Sequence, residues 1–209
     1  MNMQLMKPEI LDVEQGSPEW FEARLGIPTA SKFSTVMARG KQGGESLTRR
    51  KYMLQLAGER LTKQPMESYK NDHMDRGTEQ EPAALAQYEF DTELTVERVG
   101  FIRCGRTGCS PDGLIGKDGM VEFKSALADI LIDIHLRKRY PPEHAAQCQG
   151  NLWVAQRKWI DIVVFCPGLP SYVERITRDE VYINDIAGAV GTFNRELDDV
   201  VKFMEDVSR

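Results

Sequence analysis

Apolar positions recur at helical spacing in some stretches of the chain and alternate in others, and the two rhythms divide it into elements. Pro18 to Leu25 reads as an early helix. Leu47, Leu54, Ala57 and Leu61 predict a second one with an apolar stripe, after a basic loop marked by Gly40, Gly43 and Gly44. A third is expected to start at Thr78: Thr78 and Glu81 match a capping box, and Pro82 falls in the first turn, where its missing N–H costs little. Then strands take over. Leu94 to Arg103, Gly108 to Ile115 and Met120 to Lys124 predict a meander, with Asp118-Gly119 as turn residues. Helix returns through Arg139 and again after Pro142, where it carries Gln147, Gln149, Leu152 and Trp153. Trp159 to Cys166 and Tyr172 to Thr177 are β-rich runs split by Pro167-Gly168. Ile186, Val190, Phe193, Leu197, Val201 and Met204, at steps of three and four, predict a closing amphipathic helix. The order implies an α/β fold with helices covering a central sheet.

The 209 residues, 41% hydrophobic and 28% charged, are enough for one domain with one sizeable core. The longest clean apolar run, Ile162 to Cys166, falls far short of the roughly 20 residues of a membrane span, and no apolar signal-peptide stretch opens the chain. Cys104, Cys109, Cys148 and Cys166 form no C-x-x-C pair, so free thiols in a cytoplasmic setting are expected. The net charge of −5 is concentrated after Asp179, where eight acids face three bases, whereas residues 32–70 carry nine bases against three acids. Overall acidity therefore leaves a polyanionic partner open, because phosphate contact depends on a local basic face. A solvated helix surface is the alternative reading of that segment.

The chemistry concentrates in Ser110-Pro111-Asp112-Gly113 and Glu122-Phe123-Lys124. Strand side chains alternate, so Glu122 and Lys124 project together while Phe123 turns into the core, and Asp112 on the neighbouring strand can reach the same point. Two carboxylates are the hard oxygen donors that Mg²⁺ takes in phosphoryl sites, beside waters and substrate oxygens. A lysine there can orient or help deprotonate a water and offset transition-state charge. The alternative is a plain turn beside an exposed ion pair. Other constellations fail: His73, His135 and His144 lack H-E-x-x-H spacing, no P-loop occurs, and Cys104 and Cys109 lack partners for zinc.

Pro111-Asp112 and Glu122-x-Lys124, with their apolar flanks and hairpin, resemble the PD-(D/E)-x-K nuclease core. Glu14-Gln15-Gly16, Trp20, Arg24-Leu25-Gly26 and Thr29-Ala30-Ser31 are similar to the opening motif of the phage lambda exonuclease and YqaJ-like viral recombinase family. Gly77 with Glu81 is similar to its G-x-x-x-E, and Ala146-Gln147-Cys148-Gln149 before Leu152-Trp153-Val154 is similar to its A-Q-x-Q helix. The resemblance implies a restriction-endonuclease-like core, a central mixed sheet flanked by helices.

It also implies roles. Asp112 and Glu122 would bind Mg²⁺, for which Mn²⁺ substitutes, with the Phe123 carbonyl as a third ligand, and Lys124 would attend the nucleophilic water. Glu81 would sit near the metals, unless the capping box with Thr78 claims it. Gln149 would position the water or the scissile phosphate, against the alternative of a polar helix face. Arg24, Ser31 and Ser110 would hold a terminal 5′-phosphate; a charge at a helix C-terminus is the other explanation of Arg24. The family's second phosphate-pocket arginine is missing, since Asp129-Ile130 stands in its place and the next basic cluster is Arg137-Lys138-Arg139. The implied activity is 5′-to-3′ digestion of one strand of linear double-stranded DNA to mononucleotides, leaving 3′ single strands for recombination in a bacterial host. A homotrimeric ring and a phage-type single-strand annealing protein are the implied partners. The competing functions are an endonuclease on the same core and a catalytically decayed DNA-binding module.

Overall fold

The computed structural model describes residues 6–40, 44, 46–66 and 72–207, with 72–78 described in backbone only. Gly43 in the predicted basic loop, and the side chains of His73 and Thr78, lie outside the described residues. In chain order the elements are β1 (Glu9–Leu11), α1 (Pro18–Ala23), a 3-10 turn (Ala30–Lys32), α2 (Phe33–Met37), α3 (Leu47–Thr62) and α4 (Asp72–Thr92). Next come β2 (Phe101–Cys104), β3 (Thr107–Cys109), β4 (Gly113–Ile115), β5 (Gly119–Ser125) and α5 (Ala128–Arg137). A 3-10 turn (Pro142–His144), α6 (Ala145–Ala155), β6 (Trp159–Phe165), β7 (Tyr172–Thr177) and α7 (Glu180–Val207) complete them.

The strands make two sheets. β1-β2-β3 is antiparallel, and β4-β5-β6-β7 is mixed, with β5 and β6 parallel across the α5–α6 crossover and the outer pairs antiparallel. The predicted strand from Gly108 to Ile115 is therefore two strands in different sheets. Pro111 has no N–H to give a ladder, so pairing stops there and the chain changes sheets at Ser110-Pro111-Asp112. Of the predicted strand from Leu94, only Phe101–Cys104 pairs as one, and Glu97 makes a lone bridge to Leu114.

α6 lies between the sheets, against β2 and β3 on one side and β6 on the other, and buries nearly every side chain it carries. At Gly150 a Cβ would meet the Phe33 ring at 2.4 Å, so glycine lets this helix close onto the turn before α2. Ile160 and Ile162 join α6 in the main core, while Val163 faces the other way, onto Tyr88 of α4 with Ile115 and Val121. Ile183, Ile186, Val190, Phe193 and Leu197 of α7 complete the main core, as its periodicity predicts; Val201 packs at its margin and Met204 is exposed. The four cysteines are free thiols.

Three expectations change. α4 begins by Asp72, so Thr78 is inside a helix rather than capping one, and Glu81 is released from the capping box. In α3 the predicted stripe is turned around: Leu47, Leu54 and Leu61 are exposed, and Tyr52, Met53, Leu56, Ala57 and Glu59 are buried. In the β4–β5 turn the left-handed conformation is at Gly116, φ +51°, whereas Gly119 is needed because the Trp159 indole lies 2.2 Å from where its Cβ would be.

Candidate active site

The β4–β5 register pairs Gly113 with Val121, and continued by one residue it sets Asp112 opposite Glu122. Opposed residues of antiparallel strands share a face, so both carboxylates point the same way, toward α6. Phe123 packs its ring on Tyr88 at 6.0 Å on the other face, as strand alternation requires. Its N–H donates to Asp112 Oδ2 at 2.6 Å. A strand residue turns N–H and C=O to the same edge, so the Phe123 carbonyl lies on the Asp112 side as well.

Glu122 is buried and Asp112 half-buried. Burial, then the Glu122 charge, pushes the Asp112 carboxyl well above the usual carboxylate range; Glu81 adds to the shift, and Lys124 and the Phe123 N–H oppose it. For Lys124 burial alone would lower the ammonium, but Glu122 and Asp112 outweigh it and the net shift is upward. Lys124 is thus a charged donor here, giving hydrogen bonds to Glu122 Oε1 at 2.8 Å and Gln147 Oε1 at 3.1 Å. His144, just before α6, is pushed down to about 4 by burial and then by Lys124, so it is a neutral imidazole at neutral pH.

Gln149, the expected active-site glutamine, is elsewhere. Its amide donates to the Thr177 carbonyl at 2.8 Å and accepts from the Asp179 N–H at 2.9 Å, which ties α6 to the β7–α7 junction. Two residues along a helix is about 200° of rotation, so Gln147 has the opposite aspect. Gln147 donates to Glu122 Oε1, and Asn151, one turn on, donates to Glu122 Oε2 at 3.0 Å. The motif drew attention to both glutamines; the 147/151 spacing, i and i+4, was the available signal for which of them shares a face with a second amide.

Arg24, Ser31 and Ser110 meet in the same cleft, a cavity of about 190 Å³ that Gln15, Trp20, Thr29, Asp112, Glu122, Gln147 and Asn151 also line. Ser17 caps α1 by accepting from Trp20 N at 3.2 Å, and Arg24 ends the helix. The Arg24 guanidinium lies 3.8 Å over the Trp20 ring and 3.4 Å from Thr29 Oγ1, which in turn is 3.4 Å from Ser31 Oγ. The Trp20 indole N–H bridges to Ser110 Oγ and the Gly100 carbonyl, each at 3.0 Å. α3 fixes this wall: Glu59 accepts from Gly26 N at 2.9 Å, and Arg60 Nε donates to Gly26 O at 2.7 Å. That work explains why Glu59 is buried on the same side of α3 as Tyr52, Met53, Leu56 and Ala57. Among the described residues Arg24 forms no carboxylate ion pair and is the one arginine lining the cleft, while burial lowers its pKa. Arg137 pairs instead with Asp133 on α5 and does not replace the missing second arginine.

Glu81 is close enough to raise the Asp112 pKa, but its carboxylate is paired with Arg98. Among the described residues no group of three His, Cys, Asp or Glu side chains is gathered to cage a cation. Asp112, Glu122 and the Phe123 carbonyl are instead an incomplete, all-oxygen set. Asp112 Oδ1 accepts no hydrogen bond among the described residues, and half-buried Asp112 beside buried Glu122 brings two carboxylates to one point, with the Lys124 ammonium paired to Glu122. The set fits a hard cation that completes its shell with water and substrate oxygens, as Mg²⁺ does, and does not fit a closed zinc site.

The family model for the YqaJ-like viral recombinase domain matches residues 19–158. An alkaline exonuclease (LHK-Exo) from Laribacter hongkongensis is 33% identical, with a TM-score of 0.82 over 92% of this chain and 98% of that one. Its complex with dAMP matches at 34% identity and a TM-score of 0.83 over the same shares of both chains. A phage related exonuclease from Haemophilus somnus 129PT shares the fold at 15% identity, with a TM-score of 0.67 over 85% of this chain and 96% of that one. A comparison with curated protein sequences finds no match. No helix among the described residues is long and apolar enough to cross a membrane. The mixed α/β fold is that of the PD-(D/E)xK-type alkaline exonucleases, and the chain belongs to the YqaJ-like viral recombinase domain family.

Proposed function

We propose that the protein is an Mg²⁺-dependent exonuclease that digests one strand of linear duplex DNA from its 5′ end, releases mononucleotides and leaves a 3′ single strand for recombination by annealing. One observation carries the reading: Asp112 and Glu122, the latter bonded to Lys124, line the same small cleft as Arg24, which has no carboxylate partner among the described residues. The similarity to an alkaline exonuclease supports it. A bound Mg²⁺ supplies Lewis-acid polarisation of the scissile phosphate and acidification of a water. Asp112, Glu122 and the Phe123 carbonyl hold it, and the Lys124 ammonium, aligned by Gln147, donates to the reacting phosphate or its attacking water. Arg24, Ser31 and Ser110 take the terminal phosphate and so set which phosphodiester is cut. A linear duplex labelled at its 5′ ends should release labelled mononucleotide from the earliest times, while a 3′ label stays in long strands; the reverse order would contradict the polarity.

A ring of three chains around the DNA, with a phage-type annealing protein as partner in the bacterial cytoplasm, extends this reading on the family resemblance. Light scattering should then give about three times 23.7 kDa, and a monomer at micromolar concentration would oppose it.

The raised Asp112 pKa makes cation binding pH-dependent. A carboxyl whose folded pKa is raised contributes stability that is present at low pH and lost as pH climbs from the ordinary carboxylate pKa through the raised one. Cation binding requires the ionised form and releases the proton, so affinity grows across that same window. The rise in Tm caused by Mg²⁺, followed from the ordinary carboxylate range up to about pH 8.5, should grow with pH in the wild type and lose this dependence in Asp112→Asn. A rise that is the same across that whole range in the wild type would contradict the assignment.

A further inference from the structure

We infer that Asn151 is a positioning residue for cation binding, acting through the Glu122 carboxylate rather than on DNA. The inference rests on the metal-dependent reading of the cleft. Asn151 is 1% exposed, between Gly150 and Leu152 on a helix whose other inward residues are mostly apolar. A buried amide in such a place is costly unless its N–H groups are used. Its partner is Glu122 Oε2 at 3.0 Å, and Glu122 is itself only 3% exposed.

The pair Gln147 and Asn151 brackets the carboxylate, one amide on each oxygen. Both come from one buried helix, so their separation is fixed by the helix and the carboxylate plane is fixed by their separation. Lys124, with a quarter of its side chain exposed, contributes the more mobile third bond. A carboxylate offers about four lone-pair directions, so three chain donors leave roughly one for a cation. Losing Asn151 frees Oε2 to rotate and leaves a buried anion under-bonded. Groups that orient a metal ligand in this way typically matter about 10–100-fold in metal affinity or activity.

The test is calorimetric titration of Mn²⁺ into the DNA-free protein, for wild type, Asp112→Asn, Asn151→Leu and Asn151→Ser, with Tm measured for each. Asn151→Leu keeps the volume and removes the donor; Asn151→Ser keeps a hydroxyl donor. The expected result is a Kd for Mn²⁺ raised about 10–100-fold in Asn151→Leu and less in Asn151→Ser. In DNA digestion the half-saturating Mg²⁺ concentration should rise similarly, with activity restored at high Mg²⁺ and the KM for DNA changed by less than about threefold. A folded Asn151→Leu with wild-type Mn²⁺ affinity overturns the inference, and does so alone if Asp112→Asn has lost binding. Failure of both Asn151 variants to fold also overturns it, by assigning the residue to stability. A wild type that binds no Mn²⁺ overturns the metal reading and this inference together.

Discussion

Asp112→Asn and Lys124→Ala should each lower DNA digestion by about three orders of magnitude or more while leaving a folded protein. A metal's charge stabilisation of a phosphoryl transition state amounts to several kcal/mol, and each ~1.4 kcal/mol is tenfold in rate. Asp112 supplies the oxygen that no chain donor occupies among the described residues, so its amide analogue is nearly isosteric yet loses the anionic ligand. The fold should tolerate this change well. The charge of Asp112 is disfavoured by burial and by Glu122, so without a cation the Asn variant should be at least as stable as wild type at pH 8. Lys124→Ala removes the charged partner of buried Glu122, and both kcat and stability should fall. Single-turnover digestion beside thermal unfolding separates the effects; substantial hydrolysis by Asp112→Asn would sink the site assignment.

Arg24→Ala should lower digestion of 5′-phosphorylated ends by roughly one to two orders of magnitude and affect 5′-hydroxyl ends much less. A terminal phosphate carries close to two negative charges near neutral pH, against one on an internal diester. Charge-assisted bonds of about 1.5–3 kcal/mol set the size of the loss. The guanidinium is already placed: it is stacked on Trp20 and has no competing carboxylate among the described residues, so little ordering remains to be done on binding. Because no second arginine lines the cleft among the described residues, one substitution should remove most of the preference between end types. Paired digestions of the two substrates by wild type and variant measure it, and an equal fall on both would make Arg24 a general DNA-binding or structural residue.

Local rhythm made part of this legible. Alternation along β5 puts Glu122 and Lys124 on one face and Phe123 on the other, and the helices and strands after Lys124 follow their apolar spacing closely. Ser110 is distant in the chain from Arg24 and Ser31, and only the family resemblance grouped the three before the structure placed them in one cleft. Elsewhere residue type misled. Leucine is a good helix former wherever it sits, so Leu47, Leu54 and Leu61 mark α3 without marking its buried side, which the Gly26 and Thr29 backbone recruits through Glu59, Arg60 and Tyr52. Gln147 and Gln149 are equal in a motif and opposite on a helix; which one meets Glu122 depends on how α6 is rotated between two sheets, and that is a tertiary fact.

If this cleft cuts DNA from an end with a bound cation, only DNA that has ends should be digested, and only while the metal is present. The most direct measurement incubates the protein with equal masses of linear and covalently closed duplex DNA of one sequence, in Mg²⁺ and in EDTA. Steady release of acid-soluble nucleotides is expected from the linear form in Mg²⁺ only, with the closed form intact throughout. Nicking or linearisation of the closed form would show an endonuclease instead, and release that persists in EDTA would contradict the metal-dependent site.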